Sequence, residues 1–238
     1  DPRFMTLDSW RAVFLAIPLI LVMAMGQMMV IICRHVDISI GSILAFSAIV
    51  IGLLFIQFPG LSLWLSLLIT ATVGLVMGLI NGFIVTRFNV HSIIVTLGTL
   101  SLYRGLVFIV SGGRQIDRND IPEHVVSFSQ TSFLFSIPAI LIFTAIIVIV
   151  SHLVMRHSVL GREIYATGSN PVAAHLKGIN VTKVTLFCFG VCGMLAGVAG
   201  LFYASRFGYV NPGVTGVGIE FIVIAGVIIG GTSITGGS

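Results

Sequence analysis

Apolar residues run along this chain in stretches of roughly twenty, broken by short polar patches, without the two- or three-to-four-residue alternation of half-buried elements. A bilayer core about 30 Å thick needs about 20 such residues per helix. The windows predict spans near Ala12–Cys33, Ser42–Phe58, Leu61–Thr86, Ser92–Val110, Phe133–Met155, Val184–Ser205 and Val217–Ile234, seven in all. The patch Thr86–His91 reads as a tight connection between antiparallel neighbours. The stretch Ser111–Ser132, with Arg114, Asp117, Arg118, Asp120 and Glu123, reads as an aqueous loop. The expectation is an all-α, polytopic transmembrane bundle, residues 1–238 forming a single membrane domain. The chain starts without Met and stops behind an apolar run, so it reads as a fragment of a larger bundle with further helices at both ends.

Composition agrees with the pattern. Of 238 residues, 57% are hydrophobic and 8% charged, against about a quarter charged in soluble domains. Charge also orients the bundle. The connection Arg156–Lys183 carries Arg156, Arg162, Lys177 and Lys183 against Glu163, which marks it as cytoplasmic. Alternation then puts Arg34 and Arg87 inside. The N-terminal segment and the stretches Ser111–Ser132 and Arg206–Gly216 fall outside, on the side that holds six of the eight acids.

Glycines add helix-contact stripes: Gly74, Gly78 and Gly82; Gly193, Gly197 and Gly200; and Gly226 with Gly230. In lipid, helices associate by close backbone approach, which small residues permit. Cys33, Cys188 and Cys192 read as buried thiols, with no spacing for a metal or a disulfide framework.

A search for an energy source or a reaction centre is negative. The two lysines are followed by Gly and Val, so no phosphate-binding GxxxxGK[ST] loop is present. The intramembrane ionisable candidates are Asp37, Arg104 and Glu220. The histidines at 35, 91, 152, 157 and 175 lie at or beyond the inner ends of spans. No catalytic set, metal site or cofactor motif is found, and nothing points to nucleic acid. A transporter body without a motor predicts a separate energising partner.

The cytoplasmic stretch 156–185 contains a short helix. Ser169 or Asn170 can cap it, Pro171 suits its first turn, and Gly178 can end it, giving about Pro171–Lys177. It is either a rigid lever shaped for a groove on another protein or an ordinary connector.

Five motifs in order along nearly the whole chain resemble one family. They are Arg34-His-Val-Asp-Ile-Ser-Ile-Gly-Ser42, similar to a "DLSVGS" signature; Asn81-Gly82; Ile94-Val-Thr-Leu-Gly-Thr-Leu-Ser-Leu-Tyr-Arg-Gly105; Gly161–Asn180; and Gly230-Gly-Thr-Ser-Ile-Thr-Gly-Gly237, similar to "GGTSLAGG". The resemblance is to permease subunits of ribose-type ATP-binding-cassette importers, with branched-chain amino-acid permeases as distant relatives. Within them the wording is nearest to permeases for rhamnose and autoinducer-2. The resemblance implies a multi-pass protein of the bacterial inner membrane that provides the path for a monosaccharide or sugar-like molecule. It implies three protein partners besides membrane lipid: a cytoplasmic ATPase, a periplasmic or lipid-anchored substrate-binding protein, and a second permease chain, identical or paralogous. A permease for a branched-chain amino acid and an ion-coupled secondary carrier are the alternatives.

Roles follow as expectations. Gly161–Asn180 looks like the family's coupling loop, which assigns ATPase coupling to Gly161, Arg162, Ala166, Gly168, Asn170, Pro171, Ala173, Ala174 and Gly178. Candidates for the translocation path are Asp37, Ser39, Asn81, Thr96, Thr99, Tyr103 and Arg104. Asp37 and Ser39 also suit a helix N-cap at the membrane edge, with Gly41 allowing an unwound backbone. Arg104 either snorkels outward past Phe108 or faces polar groups or a wet cavity, because a lone intramembrane guanidinium costs about 2.5–3.5 kcal/mol on insertion scales.

Overall fold

The computed structural model describes residues 7–130, 132–134 and 137–237. Its helices are α1 (Leu7–Ile32), α2 (Ile40–Gln57), α3 (Leu63–Phe88), α4 (Ser92–Ser111), α5 (Glu123–Gln130), α6 (Ala139–His157), α7 (Val159–Ser169), α8 (Pro171–Leu176), α9 (Val181–Phe207) and α10 (Ile219–Ile229). Two short strands, β1 (Ser132–Leu134) and β2 (Ile137–Pro138), pair antiparallel ahead of α6. Among the described residues, α1 to α4, α6 and α9 are long and apolar enough to cross a membrane.

Three boundaries differ from the sequence reading. The seventh apolar run forms only the 11-residue helix α10, about 16 Å long at 1.5 Å per residue. Val217 and Gly218 belong to the turns ahead of the helix, with Gly216 and Gly218 at φ +74° and +77°, and residues 230–234 fall beyond its end. The outer loop is not wholly irregular: Glu123–Gln130 folds as α5, and Val125 and Val126 bury against the bundle. Ser205 Oγ donates to the Val125 carbonyl at 2.5 Å and Ser129 Oγ to the Ser205 carbonyl at 2.8 Å, fixing α5 to α9. The residues expected to begin the fifth apolar segment pair as β1 and β2, and α6 starts at Ala139.

Helix α9 is the axis of the bundle, packed on α1, α2 and α3. Two glycine stripes meet here. A methyl group at Gly74 would overlap the Gly193 carbonyl, one at Gly78 the Phe189 carbonyl, and one at Gly197 the Thr70 carbonyl. Gly200 turns to α2 instead, against Leu44 and Ala48. The third stripe has no such partner, since open space surrounds Gly226.

The ends of the bundle are set by local chemistry. Ser62 caps α3 by accepting from Leu65 N (3.3 Å), Ser158 caps α7 from Gly161 N (2.9 Å), and Asn180 caps α9 from Lys183 N (3.0 Å). Asn89 and Gly112, both left-handed, close α3 and α4. Contacts place Arg34 beside Ser169, and Ile116 pairs with Val210 in a two-bond bridge of 2.9 Å each. Each pair joins connections that the charge pattern assigns to the same membrane side.

Because the α3–α9 seam leaves no room for a methyl, Gly193→Val is expected to destabilise the protein by about 1–3 kcal/mol. Gly226→Ala is expected to be neutral. Thermal unfolding of the two variants in the same detergent checks the contrast.

A polar cage around a broken membrane segment

Between α1 and α2 the chain leaves the helix for residues 33–39, and Asp37, Ile38 and Ser39 are buried. Backbone polar groups removed from water must find partners within the protein. Here side chains from neighbouring helices supply them. Ser92 Oγ, at the start of α4, accepts from Val36 N at 3.1 Å, and Thr96 Oγ1 lies 3.4 Å from the Val36 carbonyl. The Gln27 amide of α1, oriented by its hydrogen bonding, accepts from Asp37 N and donates to the Asp37 carbonyl, each at 3.2 Å.

The Asp37 carboxylate closes the segment on itself. Its Oδ1 accepts from Ser39 N (2.8 Å) and from Ser39 Oγ (2.7 Å). From α3, Asn81 Nδ2 donates to Ser39 Oγ at 2.8 Å and to Asp37 Oδ2 at 3.2 Å. From α4, the Tyr103 hydroxyl faces the Met77 carbonyl (2.9 Å) and Asn81 Oδ1 (3.2 Å). Hydrogen bonds of this kind contribute about 0.5–1.5 kcal/mol each, and leaving one buried partner unsatisfied costs about 1–3 kcal/mol. Asp37, Ser39, Asn81, Thr96 and Tyr103 are thus joined around the break, Thr99 donates to the Thr96 carbonyl (3.4 Å) within α4, and all six are buried.

The N-cap expectation is half met. Asp37 does take the Ser39 amide, but Ser39 makes no side-chain cap to α2 and gives its hydroxyl to Asp37. Gly41 is not unwound, since it lies inside α2. Its lack of a side chain serves close approach: a methyl there would overlap the Gly216 carbonyl and the Glu220 carboxylate.

That contact brings in a second irregular segment. After α9 the chain turns back from Val210 through Gly216 to reach Gly41 before starting α10. Arg104 Nη1 donates to the Thr215 carbonyl at 2.6 Å, and the guanidinium sits in the field of Glu220. Arg104 thus faces polar groups of the bundle, through one hydrogen bond to a carbonyl. Glu220 is buried, with Oε2 unpartnered among the protein groups around it.

The remaining candidates lie elsewhere, on the Arg34 side. Asn170 Oδ1 accepts from Val172 N (3.1 Å) and Ala173 N (3.0 Å), Pro171 occupies the first turn of α8, and Gly178 is left-handed at φ +85°. Of the coupling candidates, Gly161, Gly168 and Ala174 are buried, Ala166 and Pro171 half-buried, and Arg162, Asn170, Ala173 and Gly178 exposed. Val172 and Leu176 project from α8 at 72% and 82% exposure, an apolar edge left uncovered among the described residues.

Sequence reasoning missed Gln27, Ser92 and Gly216. Gln27 had a visible signal, as a lone amide in an apolar run. Ser92 looked like an ordinary helix start, and Gly216 like a loop residue. The cysteines are buried and unbridged, Cys33 Sγ lying 3.5 Å from Cys188 Sγ. Among the described residues, no group of three or more His, Cys, Asp or Glu could hold a metal ion.

Asn81→Leu would leave Asp37 Oδ2 without a donor inside the membrane, so a loss of about 1–3 kcal/mol or more is expected. Thr72→Ala, on the exposed face of the same helix, is the control and is expected to be silent. At Arg104 a single donor is used, so Arg104→Lys is expected to keep more thermal stability than Arg104→Leu.

The family described as "Branched-chain amino acid transport system / permease component" matches residues 11–237. Over all 238 residues the chain is 34% identical to an autoinducer 2 import system permease protein, LsrC, of Yersinia enterocolitica, and covers 64% of it. It is also 34% identical over its whole length to the LsrC of Yersinia pseudotuberculosis strain YPIII, covering 66%. The chain thus spans a little under two-thirds of the length of these relatives. No solved structure matches it.

Proposed function

Because the chain belongs to the permease family of branched-chain amino acid transport systems, we propose that it forms the translocating membrane part of an ATP-binding-cassette importer for a sugar-like solute. The chain is a multi-pass inner-membrane protein of the ribose-type permeases. The single observation that carries the substrate class is the full-length similarity to permeases named for autoinducer 2 import. That compound class is small, uncharged and rich in hydroxyls, and a route for it needs dispersed, weak hydrogen bonding rather than a tight charged site.

Energy comes, on this reading, from a separate cytoplasmic ATPase that receives α8. The features that support it are local. Asn170 and Pro171 fix where α8 starts, Ala174 anchors its inner face at 3% exposure, and Val172, Ala173 and Leu176 are left on the outer face. A short helix capped at one end and seated by one alanine moves as a rigid piece. Gly161, Arg162, Ala166, Gly168 and Gly178 shape the α7–α8 platform that carries it. A periplasmic binding protein would deliver cargo to the opposite side, where Ile116 and Val210 bridge, and a second permease chain would complete the path.

Within the bundle, the polar set Asp37, Ser39, Asn81, Thr96, Thr99, Tyr103 and Arg104 flanks the two irregular segments. Segments without a continuous helix can change conformation without unwinding a span, and their side-chain partners define discrete arrangements. The path is proposed to open beside them.

Two experiments follow. Uptake of labelled autoinducer 2 and of ribose by cells expressing the full-length protein with its ATPase and binding protein is expected to require all three. Uptake of leucine instead would favour an amino-acid cargo, and ion-gradient-driven uptake by the permease alone would overturn the reading. For α8, Ala173→Glu is expected to abolish uptake with membrane insertion intact, as the exposed face meets the ATPase. Ala174→Glu is expected to lower stability as well, since that side faces inward. Normal uptake and normal ATPase co-purification in the Ala173→Glu protein would count against the docking role.

A further inference from the structure

Arg34 stands where backbone geometry favours glycine. It is left-handed at φ +66°, with Arg34 N donating to the Ile31 carbonyl (2.9 Å) and His35 N to the Val30 carbonyl (3.0 Å), the double bond that closes a helix at a glycine. A bulky residue persists in such a conformation when its surroundings hold it there. What the Arg34 side chain reaches is the root of α8: Nη2 donates to the carbonyl of Ser169 at 2.7 Å, one residue before the Asn170 cap.

Three backbones meet around that bond with no side-chain thickness between them. Gly237 N donates to the Ile32 carbonyl at 3.0 Å. A methyl at Gly168 would overlap that same carbonyl, and one at Gly237 would lie 2.9 Å from Ser169 Cα. Gly236 lies directly against the Arg34 side chain. The end of α1, the end of α7 and the chain beyond α10 are thus locked together immediately behind α8. Two residues after Arg34 the caged segment begins with Val36.

We infer that this junction, pinned by Arg34, carries displacement of α8 into the broken segment 33–39 and the tail of α10. Arg34 is then a positioning residue for coupling, one that touches neither the ATPase-facing edge nor the cage itself. The inference rests on the transport reading of the preceding subsection. It explains why a glycine-type position is occupied by arginine: the side chain links two elements, and glycine would close the helix with less strain but leave them unlinked.

Arg34→Gly separates the two roles. In the full-length permease reconstituted with its ATPase and binding protein, thermal stability and ATPase co-purification are expected to match or exceed wild type. Uptake per ATP hydrolysed is expected to fall about tenfold. Arg34→Lys, which keeps one donor, is expected to recover part of the loss. Unchanged uptake per ATP in Arg34→Gly overturns the inference, and so does a loss of uptake that tracks a loss of stability. If the wild-type complex shows no nucleotide-driven uptake, the transport reading fails instead. The junction is then judged on the purified permease by amide exchange, where Arg34→Gly must speed exchange at Gly168–Asn170 and at Gly237 together. Unaltered exchange there overturns it.

Discussion

Nothing in this structure constrains its neighbours more than the seven-residue break between α1 and α2. A peptide group without a partner in hydrocarbon costs several kcal/mol, so a non-helical stretch at depth obliges adjacent helices to carry polar side chains at fixed heights. Gln27, Asn81, Ser92, Thr96 and Tyr103 come from α1, α3 and α4, and each is placed by that obligation. The Asp37 carboxylate organises the set, because its acceptor sites draw the Ser39 and Asn81 donors onto it.

Tight packing makes that placement possible. Side chains can meet over a single hydrogen bond only if the helix axes are held to within a fraction of an ångström. The α3–α9 seam does this by direct backbone contact at Gly74, Gly78, Gly193 and Gly197. The contact of Gly41 with Gly216 does the same between the first turn of α2 and the second irregular segment, just ahead of α10. At its start α10 is limited by this contact, since Val217 and Gly218 complete the turns that follow Gly216.

Features with a one-dimensional signature were legible in the sequence. Span lengths follow from hydropathy, α8 follows from Asn170, Pro171 and Gly178, and two glycine stripes follow from their four-residue spacing. The gathering of Asp37, Ser39, Asn81 and Tyr103 was approached through motif resemblance, while their mutual bonding was not, because it joins residues 22 to 44 apart in sequence. Gly41 misled: glycine in a polar motif suggests unwinding, whereas here it admits a carbonyl. Gly226 misled in the opposite way, because regular spacing alone does not say whether a helix lies opposite. The amphipathic α5 and α7 were hidden inside stretches read as loops, since polar residues on one face outweigh a few buried ones.

Side chains, not helical bonds, hold the backbone amides of Val36, Asp37 and Ser39. Hydrogen–deuterium exchange on the full-length protein in nanodiscs, read at these three amides, is expected to show protection comparable to the interior of α2 despite the absence of helical bonding. Exchange at the rate of an open loop, such as the exposed turn at Gly112 and Gly113, would contradict it.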